Sequence, residues 1–377
     1  MKKIKIAHVQ VIPIMSGVQT VSYNILKELP DDQYEKFMIC GFDEREEPKF
    51  FSDFCDINVK VIQVKSFRRQ IGKLDFQAMK EISKILKENS FDIVHTNSTK
   101  PGVLVRILSR VHGVNKIIHT VHGIAFHDKE KVFKRSLYYA LEAFSSLFGH
   151  VNVTVNKCYT KYYRYLKSNN NICIYNGVDF KALDESFVNQ GLKQYKNEGE
   201  PIRIVFMGRL DSQKDPITLL KSANELINKR GINNVHFYFG GDGELYDECH
   251  SYIENNNLSE YVTLLGWVTD KSGLLSKCDI FSMPSIYEAF GLVFVEAAHF
   301  SLPSVSTKVE GIPEVILDGE TGLLVSEKDH IALSDKLELL ITDSKLRKKF
   351  GKEAKIRAHR EFSLDRMVQK YRALYEN

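Results

Sequence analysis

Two glutamates eight positions apart, Glu288 and Glu296, are the residues whose setting most clearly suggests chemistry. Glu296 stands in an otherwise apolar run from Leu292 to Ala298, and a carboxylate buried there needs a partner because an unpaired buried charge is costly. Gly291 precedes that run, where the loop is expected to become a helix. The free N–H groups at a helix start favour an anionic ligand. The segment therefore predicts one side of a site for a polar small molecule.

A second set of charged residues follows a predicted strand, Ile202 to Met207. Arg209 and Lys214 come directly after it, and Asp215 with Pro216 predicts the capped start of a helix. A diphosphate would take a charge-assisted hydrogen bond from each cation, worth about 1.5–3 kcal/mol apiece. A plain surface turn is the alternative, and the paired glutamates about 80 residues later argue against it.

Polar residues also follow predicted strands in the first half of the chain. Ser16 and Gly17 precede an apolar helical pattern, and a glycine there lets phosphate approach the backbone closely; a tight turn is the alternative. His122 ends a predicted strand beside Gly123, where an imidazole can hydrogen-bond a sugar hydroxyl or a phosphate. His119 lies within that strand, and we expect it to be a satisfied core histidine.

Together these segments resemble the motifs of retaining family 4 glycosyltransferases, which have the GT-B fold. The glutamates match the E-x7-E signature, and Gly208-Arg209-Leu210 with Lys214 matches the G-R-L…K element. Matches to the T-x-H-G, N-G-V-D, G-D-G-x-L, L-G-x-V, G-x-x-E-x-I and T-G-L-L-V elements begin at Thr120, Asn176, Gly241, Leu265, Gly311 and Thr321. Most of the family have Gly-Gly where this chain has Ser16-Gly17.

The resemblance implies a role for each matched residue. Glu288 would contact the hydroxyls of the donor sugar, and Glu296 the ribose of its nucleotide. The implied donor site comprises Gly17, Arg209, Lys214, Val268, Glu288, Phe290, Gly291, Leu292 and Glu296. The implied acceptor residues are Ser16, His122 and Asn176, and the implied catalytic residues are Glu288, His122, Arg209 and Lys214.

The implied reaction moves a sugar, with retention of configuration, from a nucleotide diphosphate, expected to be UDP, to a glycan or polyisoprenoid-linked glycan in polysaccharide biosynthesis. No Asp-x-Asp occurs in the chain, so we expect metal-independent transfer with no cofactor. No nucleic-acid motif is present either. A nucleotide-sugar epimerase of the same fold and a non-catalytic two-domain sugar-binding protein remain alternatives, as does a structural Glu296 paired with a buried arginine.

The elements that must position these residues alternate as short apolar runs and longer amphipathic stretches. The predicted strands are Ile4–Val9, Phe37–Gly41, Val59–Val64, Ile93–Thr96, Ile117–Val121, Val151–Val155, Ile172–Tyr175, Ile202–Met207, Val235–Gly240, Val262–Leu265, Ile280–Met283, Ser304–Ser306 and Gly322–Val325. Helical patterns between them include 75–89 and 103–111. This alternation predicts two doubly wound, Rossmann-like α/β domains facing each other across a cleft.

The predicted domains are an acceptor-binding domain over 1–180 and a nucleotide-sugar domain over 201–360. The polar stretch 181–200 is expected to link them. A C-terminal helix is expected over 361–377, and packing of this helix on the first domain is one hypothesis. A length of 377 residues suits two domains of ordinary size.

Charge and cysteine content suggest where the protein works. Residues 1–180 hold 27 Lys and Arg against 18 Asp and Glu, whereas the remainder is net acidic, which hints at an anionic partner for the first half. The six cysteines show no metal or disulfide spacing, so we expect a cytoplasmic protein. No apolar run is long enough to span a bilayer.

A basic, aromatic amphipathic stretch, Lys129 to His150, has two interpretations. Its apolar residues at helical spacing, from Phe133 to Leu147, favour a helix that covers the sheet. The alternative is a helix lying in the interface of an anionic membrane. Two further basic and aromatic stretches, 66–70 and 157–167, support that alternative, so attachment to the inner face of the cell membrane is a hypothesis.

Overall fold

A computed structural model describes residues 2–127, 130–163, 170–188 and 200–376 of the chain. These residues form two compact units. Unit 1 comprises Met1–Asn176 together with Asp365–Asn377, and unit 2 comprises Gly177–Leu364. The stretch predicted as a linker begins as a helix, Phe180–Val188, and the rest of it, 189–199, lies outside the described residues.

Unit 1 contains a seven-stranded sheet whose paired strands are all parallel. Its strands are β1 (Ile4–Val9), β2 (Tyr34–Cys40), β3 (Val59–Gln63), β4 (Ile93–Asn97), β5 (Lys116–Val121), β6 (Val151–Thr154) and β7 (Asn171–Cys173). Their order is β3-β2-β1-β4-β5-β6-β7, which is the doubly wound order of a Rossmann-like domain. The direction of winding reverses between β1 and β4, which defines the switch point of this sheet.

Seven helices of the described chain belong to unit 1. They are α1 (Gly17–Glu28), α2 (Pro48–Asp56), α3 (Leu74–Asn89), α4 (Thr99–Val111), α5 (Val132–Ser146), α6 (Lys157–Tyr163) and, from the end of the chain, α15 (Leu364–Glu376). Between the sheet and α3 and α4 lies a core in which Phe37, Ile82, Val94 and Val105 are buried.

Unit 2 repeats the same plan with six strands. They are β8 (Ile202–Met207), β9 (Val235–Gly240), β10 (Val262–Gly266), β11 (Ile280–Met283), β12 (Ser304–Thr307) and β13 (Gly322–Val325). The order β10-β9-β8-β11-β12-β13, again parallel, places the switch point between β8 and β11. Its helices are α7 (Phe180–Val188), α8 (Pro216–Asn224), α9 (Tyr246–Asn255), α10 (Lys271–Ser276), α11 (Leu292–His299), α12 (Ile312–Val315), α13 (His330–Thr342) and α14 (Ser344–Glu361), with a π-helical turn, Glu225–Lys229, continuing α8.

The strand predictions are confirmed, because central strands such as β8 and β11 are buried on both faces and read as nearly continuous apolar runs. The largest difference is at β2, which begins at Tyr34 rather than at Phe37. Among the helices, α4 begins at Thr99 rather than at residue 103, because its first turn contains Pro101 and Gly102 and shows no apolar periodicity. Asp215 caps α8 as predicted, its Oδ1 accepting from Thr218 N at 3.2 Å.

The C-terminal helix α15 packs on the sheet of unit 1 through two buried tyrosines. The Tyr375 hydroxyl lies 2.7 Å from His95 Nδ1 and 3.0 Å from His8 Nε2. The Tyr371 hydroxyl lies 3.2 Å from Thr120 Oγ1. This helix begins at Leu364 rather than at 361, because α14 continues to Glu361.

The prediction that the apolar face of α5 covers the sheet is wrong. Phe133, Leu137, Phe144 and Leu147 are exposed to solvent, whereas the buried residues of α5 are polar, Glu142 among them. Apolar periodicity marks one face of a helix but does not say which face meets the sheet. Lys129 and residues 164–167 of the basic stretches named above lie outside the described residues.

No disulfide joins any of the six cysteines, each of which the structure describes. Among the described residues, no helix is both long enough and apolar enough to cross a membrane.

Candidate functional site

The candidate site of unit 2 is built at its switch point, from the loops after β8 and β11. These two strands are neighbours in the sheet, and ligands of doubly wound sheets bind beyond the carboxyl ends of strands at such a point. Arg209 and Lys214 lie in the first loop, and Glu288 and Gly291 in the second. The fold therefore brings both predicted charge clusters to one edge of one sheet.

The loop after β8 is shaped by Asp211. Its Oδ1 accepts hydrogen bonds from the backbone N–H groups of Gln213, at 3.1 Å, and Lys214, at 3.0 Å, which is the turn that Asp favours. Its Oδ2 lies 2.9 Å from Arg209 Nη2, which also donates to Gln213 Oε1 at 2.9 Å. The Arg209 side chain remains 61% exposed, so its guanidinium is both held in place and open to a ligand.

Lys214 and Glu288 form an ion pair across the two loops. Both side chains are largely buried, with 15% and 11% of their surfaces exposed. The backbone supports the pair, because Ile286 N donates to Gln213 O at 2.8 Å and Gln213 Nε2 donates to Tyr287 O at 3.1 Å. The cation predicted for diphosphate and the carboxylate predicted for the sugar are therefore adjacent.

Gly291 is the N-cap of α11 and has a left-handed backbone, with φ of +75°. A Cβ atom there would lie 2.5 Å from Phe294 Cδ2 and 3.2 Å from Glu288 Cγ, so both the conformation and the crowding require glycine. Leu292 is half-buried at the first helical position, whereas the Phe290 side chain is buried against the Phe362 ring, at 5.3 Å. Of Phe290, only the backbone is therefore left for a ligand.

Glu296 follows one turn into α11, and its side chain is 14% exposed. Its Oε2 lies 3.5 Å from Lys271 Nζ and accepts no hydrogen bond from the described residues. The exposed lysine thus forms a loose ion pair that leaves the carboxylate oxygen unsatisfied. The alternative of a buried arginine partner is wrong.

Val268 and Trp267 form the segment after β10, beside β9. The Gly241 N–H donates to Gly266 O at 2.7 Å, and a Cβ atom on Gly240 would lie 3.0 Å from Val268 Cγ2. Val268 is half-buried against this glycine pair, and Trp267 is 74% exposed. The Val268 side chain therefore packs closely against the backbone of this glycine pair.

The predicted residues of unit 1 follow β1 and β5. Ser16 Oγ donates to Gln19 Oε1 at 2.5 Å, and Gly17 opens α1. His122 Nε2 lies 3.0 Å from Asn97 Oδ1, and burial lowers the pKa of His122 to about 4. Asn97 Nδ2 faces His95 O at 3.4 Å, which turns Oδ1 toward the ring. His122 Nε2 therefore donates, and Nδ1 of the neutral ring is an acceptor.

Two other predictions concern residues of unit 1. His119 is buried, and its Nδ1 lies 3.0 Å from Thr96 Oγ1, so its prediction as a satisfied core histidine is confirmed. Asn176 is buried at the end of unit 1, and its Oδ1 has no hydrogen-bond partner among the residues described.

Sequence reasoning missed the residues that hold the site in shape. Asp211 and Gln213 fix Arg209, Asn97 sets the His122 tautomer, and Lys271 pairs with Glu296. Asp211 was detectable, since Asp two residues before a polar turn is a local signal. Asn97 and Lys271 gave no such signal, because they are distant in sequence from their partners.

Among the described residues, no group of three or more His, Cys, Asp or Glu side chains is arranged to hold a metal ion. Arg209 and Lys214 supply positive charge at this site.

Family models match both halves of the chain, as Glycosyltransferase Family 4 over residues 15–182 and as Glycosyl transferases group 1 over residues 190–357. The UDP-Gal:alpha-D-GlcNAc-diphosphoundecaprenol alpha-1,3-galactosyltransferase of Escherichia coli is 30% identical, over 99% of this chain and 97% of its own length. An alpha-1,4-N-acetyl-D-galactosaminyltransferase of Campylobacter jejuni that acts on a diphosphoundecaprenol-linked sugar is 26% identical, over 78% of this chain and 77% of its own. The crystal structure of Anabaena HepE with UDP and glucose has a TM-score of 0.81 at 18% identity, over 99% of each chain.

Two Rossmann-like units with this fold similarity define the GT-B fold. The chain belongs to the retaining family 4 glycosyltransferases, as its motifs predicted. The epimerase alternative is not favoured, because the matched family and the curated relatives named above are transferases.

Proposed function

We propose that this enzyme transfers a hexose from a UDP-hexose to a glycan carried on a polyisoprenoid diphosphate, during synthesis of a bacterial surface polysaccharide. The E. coli and C. jejuni relatives act on diphosphoundecaprenol-linked sugars, and the HepE structure contains UDP. We place the reaction in the cytoplasm, at the inner face of the membrane that holds such an acceptor.

The observation that carries the donor site is the unsatisfied Glu296 carboxylate on α11, the helix that begins directly after the loop of the Lys214–Glu288 pair. A ribose presents two neighbouring hydroxyls, which would donate to the Glu296 oxygens. The diphosphate would lie between Arg209, Lys214 and the N–H groups that follow Gly291. The nucleobase would lie against Val268, and the sugar hydroxyls would contact Glu288.

The same residues support a mechanism without a metal ion. As the bond from the anomeric carbon to the departing phosphate oxygen breaks, negative charge grows on the diphosphate, and Arg209 and Lys214 stabilise it. That phosphate oxygen takes the proton of the acceptor hydroxyl while the new glycosidic bond forms on the same face. Configuration is thereby retained, and no further base is required.

On the acceptor side we propose Ser16, His122 and Asn176, and we propose Gly17 as a donor-binding residue. His122 is neutral at physiological pH because burial lowers its pKa to about 4. Its Nδ1 would therefore accept a hydrogen bond from a hydroxyl group rather than donate to the departing phosphate.

The chain offers a direct test of donor binding, because Trp267 is its only tryptophan and lies next to Val268. Titration with UDP, UDP-glucose and UDP-galactose should change its fluorescence, whereas cytidine and guanosine diphosphates should do so weakly. Incubation of the best donor with a polyprenyl-diphosphate-linked sugar should then give an α-linked product, in EDTA as well as in magnesium. Absence of uridine nucleotide binding, or release of an epimer with no glycoside, would overturn the proposal.

A further inference from the structure

The inward side of α5 is polar, contrary to the usual arrangement of a helix that covers a sheet. Glu142 and Ser145 are buried on that side. Arg106 of α4 is also fully buried, and its Nη2 lies 2.7 Å from Glu142 Oε1 and 2.6 Å from Ser145 Oγ. Arg106 Nη1 donates to Asn152 Oδ1 of β6 at 3.1 Å. These polar contacts, together with the packing of Tyr139 against Phe126, attach α5 to unit 1.

The outward side of α5 is apolar. We call it the α5 face, and its exposed large residues are Val132, Phe133, Leu137, Leu141, Phe144 and Leu147. Val132 and Phe133 have 80% and 82% of their surfaces exposed. Contiguous exposed apolar residues on a soluble domain mark a surface that another apolar phase or a partner covers.

The exposed charged side chains of α5 are positive, although the Glu130 carboxylate lies at the helix start and accepts from Lys131 N at 3.1 Å. Lys131 and Lys134 are exposed at the start of the helix, whereas Glu142, its only acidic residue, is buried in the Arg106 pair. The outward side therefore presents apolar and cationic groups with no carboxylate from the helix itself. This composition complements an anionic lipid surface.

A second exposed apolar segment lies on the same side of the sheet. Ile71, just before α3, and Phe76, in its first turn, are 79% and 76% exposed, and the exposed Arg68 and Arg69 precede them. Helix α4 packs against both α3 and α5. In parallel α/β units the helices begin at the carboxyl edge of the sheet, so both segments lie toward the same edge.

We propose that the α5 face, with the start of α3 as a second contact, docks unit 1 on an anionic lipid bilayer. Phe133, Leu137 and Phe144 would enter the boundary between headgroups and acyl chains, and Lys131 and Lys134 would contact lipid phosphates. The role that we assign to docking rests on the proposed function, in which the enzyme must reach a polyisoprenoid-linked acceptor held in a membrane. The surface itself rests only on exposure and charge.

Vesicle flotation tests the proposal with the full-length protein. Vesicles of phosphatidylcholine alone and of phosphatidylcholine with phosphatidylglycerol provide the two surfaces, at low and high salt. We expect binding to the anionic vesicles only, weakened by salt. Phe133→Ser with Phe144→Ser, and separately Lys131→Gln with Lys134→Gln, should each lower the bound fraction roughly tenfold or more.

Matched substitutions of exposed residues in unit 2 serve as controls. Ile331→Ser with Ile356→Ser, and Lys345→Gln with Lys348→Gln, should leave flotation unchanged. UDP titration of Trp267 fluorescence, with circular dichroism, would show that each variant is folded and whether donor binding persists. Vesicle binding without UDP binding would refute the proposed function but not the docking surface.

Two outcomes would overturn the docking proposal. One is a wild-type protein that floats with neither vesicle, or equally with both. The other is a wild-type dimer that Phe133→Ser with Phe144→Ser converts to a monomer without any effect on vesicle binding, which would assign the α5 face to a second copy of the chain.

Discussion

The Lys214–Glu288 ion pair positions two opposite charges before any ligand arrives. Each side chain is largely removed from water, so each is held by the other rather than by solvent. In the proposed donor site, an arriving diphosphate would compete with Glu288 for the lysine, and the donor sugar would then satisfy the carboxylate. The pair would thus favour a ligand that carries both an anion and neighbouring hydroxyls.

Replacing Lys214 should separate binding of the diphosphate from binding of the nucleoside. Lys214→Ala is expected to weaken UDP binding by about 1.5–3 kcal/mol, because one charge-assisted hydrogen bond is lost. Uridine, which has no phosphate, should bind as before. Calorimetric titration of both ligands measures the difference, with Lys221→Ala on exposed α8 surface as the control. Equal losses for UDP and uridine would mean that the lysine only maintains the structure.

Glu296 should affect the nucleoside instead. Glu296→Ala removes the acceptor that we assign to ribose, so uridine and UDP should both bind about 1.5–3 kcal/mol more weakly. The stability of the Glu296→Ala variant should change little, because the Lys271 side chain that pairs with Glu296 is half exposed and its Nζ lies 3.5 Å from Glu296 Oε2. Thermal unfolding and calorimetry test this together, with Glu260→Ala as an exposed control. A large fall in melting temperature with unchanged uridine affinity would contradict the assignment.

At the scale of elements, the two loops at the switch point of unit 2 are joined by backbone contacts, while α15 completes unit 1 from the far end of the chain. The loops meet because β8 and β11 pair, although about 75 residues separate them in sequence. Helix α15 meets the sheet through the Tyr375 hydroxyl, which lies within hydrogen-bond distance of the buried His8 and His95. Both arrangements depend on pairs of residues that are remote along the chain.

Tyr375→Phe tests how α15 is held. Removing the hydroxyl leaves His95 Nδ1 and His8 Nε2 without that partner in a buried setting, which should lower the free energy of unfolding by about 1–3 kcal/mol. Urea unfolding measures the loss. Tyr23→Phe is the matched control, because the half-buried Tyr23 hydroxyl has no hydrogen-bond partner in the described part of the chain. Equal stability of the two variants would show that α15 is held by packing alone.

At the scale of the molecule, fully or largely buried histidines are concentrated in unit 1. Burial lowers the pKa of His8 to about 3 and that of His122 to about 4. Burial also lowers the pKa of His95 and of His119 well below the usual value. These groups are neutral in the folded protein over a pH range in which the unfolded chain binds protons.

Acid should therefore destabilise the protein before its carboxylates titrate. These histidines titrate near pH 6.5 in the unfolded chain and at lower pH in the folded protein. Their contribution to the free energy of unfolding is therefore fully present above about pH 6.5 and is lost as the pH falls toward 4. Each such histidine contributes at most about 1.4 kcal/mol per pH unit within that window. Urea unfolding at pH 7, 6 and 5 checks the slope.

A substitution separates this effect from other titrations. His8→Gln should make the loss of stability between pH 7 and 5 shallower, even if it lowers stability at pH 7. His250→Gln, on the exposed surface of α9, should leave the slope unchanged. A wild-type protein equally stable at pH 7 and pH 5 would contradict the prediction.

The sheets could be predicted more fully than the helices that cover them. A central parallel strand such as β8 is apolar on both faces. Its sequence therefore predicts the strand whichever face turns toward a given helix layer. Helix α5 shows a clear apolar stripe, but the direction of that stripe depends on Arg106, which lies 36 residues from Glu142. Periodicity gives a helix and its stripe, whereas a distant residue decides which side turns inward.

By itself the sequence determined the alternation of strands and helices, the two Rossmann-like domains, and the charged residues that end the strands. These features are local, since each follows from backbone preference and burial within a few residues. Tertiary structure alone decided that Lys214 pairs with Glu288, that Asn97 sets the His122 tautomer, and that the apolar side of α5 faces outward. These features depend on contacts between residues that are remote in the chain, and only the folded structure brings those residues together.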